Sequence, residues 1–219
     1  VLDGRGRRDY GRKAARVLGT AQLERFEAWL ASQDAEVLFV VSAVPIVHAR
    51  SFILNTFDLN FLGIADDFRD EWEHDSNWEE RNRLLALVFE WADRKGRRAV
   101  FLSGDVHIGA SFRLSHPRYP RATRVYQLTS SAITHPLSGV SRQLLQLAVA
   151  KEGTLGDREP QGKRYRFKVL QTFRWNNFGI VRVAPGPGEV GVTYDLYGSS
   201  EPGAITKLNQ LALDGRDPS

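Results

Sequence analysis

The chain has 219 residues, of which 42% are hydrophobic and 26% charged, with a formal net charge of +4. This size and balance suit a single globular domain spanning 1–219, large enough for a sizeable core. Cysteine is absent, which excludes disulfides and thiolate metal sites, and no apolar run approaches a membrane span or the core of a signal peptide.

In chain order, the first feature is a basic run, Arg5, Arg7, Arg8, Arg12, Lys13 and Arg16. Such a run reads as a solvated or phosphate-attracting face. No stacking-aromatic pattern or zinc spacing accompanies it, so no specific nucleic-acid binding is expected. Thr20 is placed as the N-cap of a helix running to about Gln33, with Leu23, Phe26 and Leu30 along one face. The β-branched run over 37–43 predicts a buried strand, which Pro45 ends. From Ile46 to Asp75 the pattern is irregular, with acidic residues at Asp66, Asp67, Asp70, Glu71, Glu73 and Asp75. That length suits a functional loop or lid, with Trp72 and Trp78 as its anchors. It lacks the glycine and terminal glutamate of a helix–loop–helix calcium loop.

Ser76 and Glu79 have the spacing of a capping box opening a helix over 77–95, whose buried face is Leu84, Leu85, Val88, Trp91 and Ala92. Gly96 supplies its stop. A strand over 99–102 follows, and strand–helix–strand predicts parallel pairing of the two strands. Further strands are read over 109–114, 124–128, 178–184 and 189–196, the last two joined by a hairpin turn at Pro185-Gly186-Pro187-Gly188. These later strands are expected to lie largely antiparallel in a second sheet. A helix is placed over 137–149, and 151–163 is read as a polar loop.

The segment Phe101-Leu102-Ser103-Gly104-Asp105-Val106-His107 carries the chemistry. An apolar run ends in glycine and then offers a carboxylate and an imidazole two residues apart. In extended chain these two side chains leave the same face. A hard oxygen beside a borderline nitrogen suits a metal that binds phosphate or activates water. The position past a strand's carboxyl end is also where open α/β sheets place their sites. By itself the tetrapeptide reads equally well as a turn aspartate beside a half-buried histidine. His48, His74, His116 and His135 read as bystanders. There is no nucleophile elbow, phosphate-binding P-loop or dinucleotide fingerprint.

Several motifs taken together resemble the PhoD-like alkaline phosphatase and phosphodiesterase family of the calcineurin-like metallophosphoesterases. They are Val1-Leu2-Asp3-Gly4-Arg5, Leu18-Gly19-x-x-Gln22, the run Asp66 to Trp72, Asn77-x-x-Glu80-Arg81-Asn82, the Gly-Asp-Val-His segment, Ser130-Ser131-Ala132-Ile133-Thr134 and Asn176-Asn177-Phe178-Gly179. The resemblance implies an α/β, two-sheet sandwich flanked by helices in four layers, α/β/β/α, of which this chain is a partial domain. It implies hydrolysis of phosphate monoesters or diesters at a pair of metal ions, with iron, calcium, manganese and zinc as candidates. Asp105 and His107 would each bind one ion of the pair. Read from the residues themselves, Arg81 is a candidate to stabilise the equatorial phosphate oxygens or a solvated helix arginine, Asp3 and Arg5 contact substrate or close a turn as an ion pair, and Asn177 contacts substrate or is a turn or strand-end residue.

The family's remaining ligands lie in motifs upstream of those matched here. Methionine is also absent, even at position 1. Both features lead to the expectation that this is the carboxyl-terminal part of a longer protein, with a missing amino-terminal region as its partner. On that expectation the 219 residues alone are inactive. The competing expectation is a catalytically incomplete binding or structural module. The lack of a leader or span leans toward a cytoplasmic location and no membrane contact.

Overall fold

The computed structural model describes residues 1–4, 6, 16–47, 72, 77–106, 108–131, 133, 152–155, 165–173, 175–199 and 204–216. Helix α1 spans Thr20–Ala31 and buries Leu23 and Leu30. Strand β1 follows at Val37–Val41, and helix α2 at Trp78–Lys95 buries Leu84, Leu85, Val88, Phe89, Trp91 and Ala92. Glu79 and Glu80 in its first turn and Arg94 and Lys95 in its last complement the helix dipole. Gly96 then takes a left-handed φ of 62°, the conformation that closes a helix at lowest cost when there is no Cβ.

Strands β2 (Arg98–Ser103), β3 (Gly109–Ser115), β4 (Val125–Thr129), β5 (Glu152–Leu155) and β6 (Tyr165–Phe173) join β1 in a six-stranded sheet ordered β1-β2-β4-β3-β6-β5. β1, β2 and β4 run parallel, as expected for the first two, so their carboxyl ends share one edge. β3 pairs antiparallel to β4 and to β6, with a register shift between Ser111 and Phe112. A three-stranded antiparallel sheet holds β7 (Asn176–Ala184), β8 (Gly191–Ser199) and β9 (Thr206–Ala212) in that order.

Alternation along the strands divides the core in two. Leu38, Val40, Ala99, Phe101, Ala110, Phe112 and Leu114 face the helices. Val100, Tyr126 and Leu128 face the second sheet and meet Val192, Tyr194, Leu196, Leu211 and Leu213. The result is a two-sheet α/β sandwich, with α1 and α2 on the outer face of the larger sheet.

Some local expectations give way. The strands over 109–114 and 124–128 belong to the first sheet, because β4 finds its partner in β2 across a parallel register. The segment read as a loop over 151–163 begins with β5, a short polar edge strand held by β6. β6 escapes the sequence pattern, since its lysine and glutamine mask a half-buried strand, and β9 escapes it because all of its residues but Leu211 are exposed. Gly19, not Thr20, is the N-cap of α1, and Asn77 that of α2 without a side-chain capping bond. Ser76, the helix over 137–149 and most of 46–75 lie outside the described residues.

Candidate active site

The carboxyl ends of β1, β2 and β4 converge on one edge, where the sequence places its chemistry. β2 ends at Ser103, and its carbonyl accepts the Ser130 N–H at 3.2 Å. The hydroxyls of Ser103 and Thr129 are 2.8 Å apart. Gly104 passes close to the Ser130 carbonyl, and a Cβ added there would lie 3.6 Å from it. Asp105 comes next, exposed to solvent and with φ 74°. Among the described residues other than glycine it alone has positive φ. The extended geometry that would send residues 105 and 107 to the same face therefore does not apply. Asp105 projects from a left-handed turn just beyond the strand. His107 lies outside the described residues.

The chain leaving these strand ends is irregular and must satisfy its backbone polar groups without a neighbouring strand. Three carboxamide side chains do so, each pairing with both the N–H and the C=O of one residue. Gln22 accepts from Asp3 N at 2.7 Å and donates to Asp3 O at 3.1 Å. Gln127 accepts from Val47 N at 2.7 Å and donates to Val47 O at 2.6 Å. Asn177 accepts from Ser131 N at 3.2 Å and donates to Ser131 O at 2.7 Å. A carboxamide presents the same donor–acceptor pair as a peptide group and so substitutes for a missing strand.

The second amide proton of Asn177 goes to Trp175 O at 2.8 Å, and the residue is 2% exposed. Both donors are thus engaged with backbone, and Asn177 shapes the edge. Asp3 lies beside the end of β1, because Leu2 N–H donates to Val41 O at 2.8 Å. Its Oδ1 accepts from Gly6 N at 2.7 Å, closing an Asx turn. Arg5 lies outside the described residues.

Arg81 sits on α2 with 0% exposure. Its Nη1 donates to the Trp72 carbonyl at 3.3 Å, and its guanidinium lies 5.7 Å from the Trp78 ring centre. The Trp72 indole, itself fully buried, donates to Ser42 Oγ at 3.4 Å just past β1. Ser42 N–H in turn donates to Leu102 O at 2.9 Å. Arg81 thus ties Trp72 to the strand ends from below.

Glu80, which in sequence is one letter of the Asn77-x-x-Glu80-Arg81-Asn82 motif, has a defined task. Its carboxylate accepts from Val17 N (2.6 Å), Leu18 N (3.1 Å) and Gly19 N (2.6 Å). It therefore serves the donors ahead of α1 from a helix about 60 residues away. The one local hint is the absence of a capping side chain at Gly19. Tyr194 reaches the same edge from the second sheet. Its ring lies over Gly179, where a Cβ would come within 2.3 Å of it. Burial pushes its phenol up to about 12, and nearby Ser130 offsets this only slightly, without a well-formed hydrogen bond.

Among the described residues no three His, Cys, Asp or Glu side chains gather to hold a metal ion. Asp105 supplies one hard oxygen donor in an exposed position, which fits part of a metal-ligand set and not the whole of one. No described helix is long and apolar enough to cross a membrane.

Comparisons with known proteins bear on this edge. A family model described as PhoD related phosphatase matches residues 40–154, more than half of the chain, including the last two residues of β1, α2, β2 and the Asp105 turn. A solved structure described as "Structure of PhoD" superposes with a TM-score of 0.53 at 14% identity, covering 95% of this chain and 38% of that one. At that identity the likeness concerns the fold. The chain spans well under half the length of the matched protein. No curated protein matches the chain.

Proposed function

The chain belongs to the PhoD related phosphatases, and on that premise we propose that it forms part of a metal-dependent phosphoesterase site at the carboxyl edge of its larger sheet. The observation that carries this reading is the Asp105 turn. A carboxylate stands exposed beyond β2, lies within the matched region, and is braced by backbone-directed side chains. Asp105 and His107 would be the ligands that this chain contributes to a pair of metal ions. When bound, such ions polarise a phosphate ester and lower the pKa of a coordinated water.

The chain's own residues have simpler tasks. Asp105 presents negative charge at the edge. Gln22, Gln127 and Asn177 hold the backbone of Asp3, Val47 and Ser131 beside the ends of β1 and β4. Arg81 acts through Trp72 as a support. The substrate class is a phosphate monoester or diester. Iron, calcium, manganese and zinc are all compatible with one carboxylate and one imidazole.

A second reading has an observation of its own. The described residues gather no three metal-ligating side chains, which favours a catalytically incomplete binding or structural module that lacks the other metal ligands. Hydrolysis of aryl phosphate mono- and diesters separates the two when measured on this chain and on the longest natural product. The longer protein is expected to be active and to lose activity on chelation, and the chain alone to be inactive. In the longer protein, Asp105→Asn should lower kcat by about 10²–10³, the scale of losing one charge-stabilising group. It should also weaken Mn²⁺ binding measured by electron paramagnetic resonance. Hydrolysis that survives both the chelator and Asp105→Asn would overturn the metal reading.

A further inference from the structure

We propose that Asn177 is a positioning residue, which, together with Ser130 and Ser131, braces the turn at Gly104–Val106 from the second sheet and holds Asp105 in its left-handed conformation. Asp105 has φ 74°, a region that aspartate tolerates better than most residues with a Cβ but that still costs free energy relative to glycine, so its surroundings help to hold it there.

The surroundings do so on both sides of the turn. At its start, Ser130 N–H donates to Ser103 O at 3.2 Å, and Gly104 runs against the Ser130 carbonyl. Ser130 is itself held from the second sheet, because Gly179 N–H donates to its Oγ at 3.1 Å. Ser131 is clamped by the Asn177 carboxamide through both backbone groups. Beyond the turn lies Gly109, where a Cβ would come within 3.0 Å of Asn177 Oδ1. One buried carboxamide therefore sets the entry to the turn through Ser131 and its exit through Gly109. β7 carries it across the sandwich to an edge that otherwise belongs to the first sheet.

The catalytic importance of this brace rests on the reading of Asp105 as a metal ligand. Its mechanics do not, and the test is run without metal. The folding equilibrium constant of the 219-residue chain is measured by urea denaturation with a chelator present. Asp105→Gly and Asp105→Ala are compared in the wild-type, Asn177→Ala and Ser130→Ala backgrounds. In the wild-type background glycine should exceed alanine by about five-fold, because only alanine is strained at this φ. In the Asn177→Ala background the ratio should fall to about one or below, since the turn can then relax and glycine's freedom in the unfolded chain counts against it.

Ser130→Ala, which deletes only the acceptor of the Gly179 N–H, should lower the ratio partway. If Asn177→Ala does not fold, Asn177→Asp takes its place, since it keeps an acceptor for Ser131 N–H and loses both donors. A ratio unchanged across all backgrounds would overturn the proposal, leaving Asn177 with an additive structural role. Loss of metal-dependent hydrolysis in the longer protein would not alter this ratio, so the two readings fail separately.

Discussion

The two ends of the parallel strands are built from different materials. At the amino edge, Arg98 opens β2 in a 4% exposed position. It donates through Nε to Leu213 O and through Nη1 to Val190 O at 2.6 Å. Arg113 donates to Gly215 O at 2.6 Å, and Gly215 N–H donates to the Tyr126 hydroxyl at 2.7 Å. Burial pushes that phenol up, so it remains a neutral acceptor. Long cationic side chains here fasten the end of the described chain across both sheets. At the carboxyl edge the side chains are short, and carboxamides take over the backbone bonds, leaving Asp105 exposed. The expectation drawn from this contrast is that the amino edge carries more of the stability than the exposed Asp105 does at the other.

The largest expected effect tests that asymmetry directly. Arg98→Ala strands two carbonyls without their donor and should cost about 3 kcal/mol, read as a fall in the urea midpoint. Asp105→Ala at the opposite end should change stability by no more than about 1 kcal/mol. Equal losses at both ends would break the comparison.

Glu80 tests whether the open edge has its own support. Gly4 packs against Val17, with an added Cβ 3.4 Å from Val17 Cγ1, so the segment Glu80 holds borders the end of β1. Glu80→Gln removes the charge from three short N–H bonds and should cost about 1–2 kcal/mol. Glu80→Ala should cost more. A neutral Glu80→Gln would show that water serves those donors equally well.

The smallest effect concerns pH at the amino edge. His116 follows β3 and packs among Phe89, Tyr119 and Tyr165, while its Nδ1 accepts from Arg118 N at 3.1 Å. Burial first, and the Arg118 charge second, hold its pKa below the ordinary histidine value. The unfolded chain therefore binds more protons than the folded one. Stability rises with pH, and the loss on acidification begins as pH falls through about 6.5, the unfolded value, levelling below the folded one. His116→Phe should flatten this slope in denaturation measured between pH 8 and 5.5. An unchanged slope would assign the acid sensitivity elsewhere.

Much of the local frame is legible in the amino-acid sequence. The apolar run over 37–43 contains β1, the spacing of Leu84, Leu85, Val88 and Trp91 marks the buried face of α2, and Gly96 ends that helix in the conformation glycine favours. The abrupt Gly104-Asp105 after β2 locates the candidate edge. Each of these signals depends on neighbours within a turn or a strand. The extended geometry expected at Asp105 gives way to a φ of 74°; aspartate after glycine is compatible with such a turn, but the preference is too weak to choose it over an extended continuation of the strand.

The sequence by itself determined the family, the parallel pairing of β1 with β2 and the edge on which Asp105 stands, because periodicity and motif order suffice for these. Only the tertiary structure decided that β3 and β4 join the first sheet, that Glu80 serves the amides of Val17, Leu18 and Gly19, and that Asn177 clamps Ser131. It also set Arg81 against the Trp72 carbonyl. The physical reason is that a polar side chain's partner is whichever unpaired group burial brings to it. For these residues that group lies from nine to more than sixty positions away in the chain, beyond the reach of any local pattern.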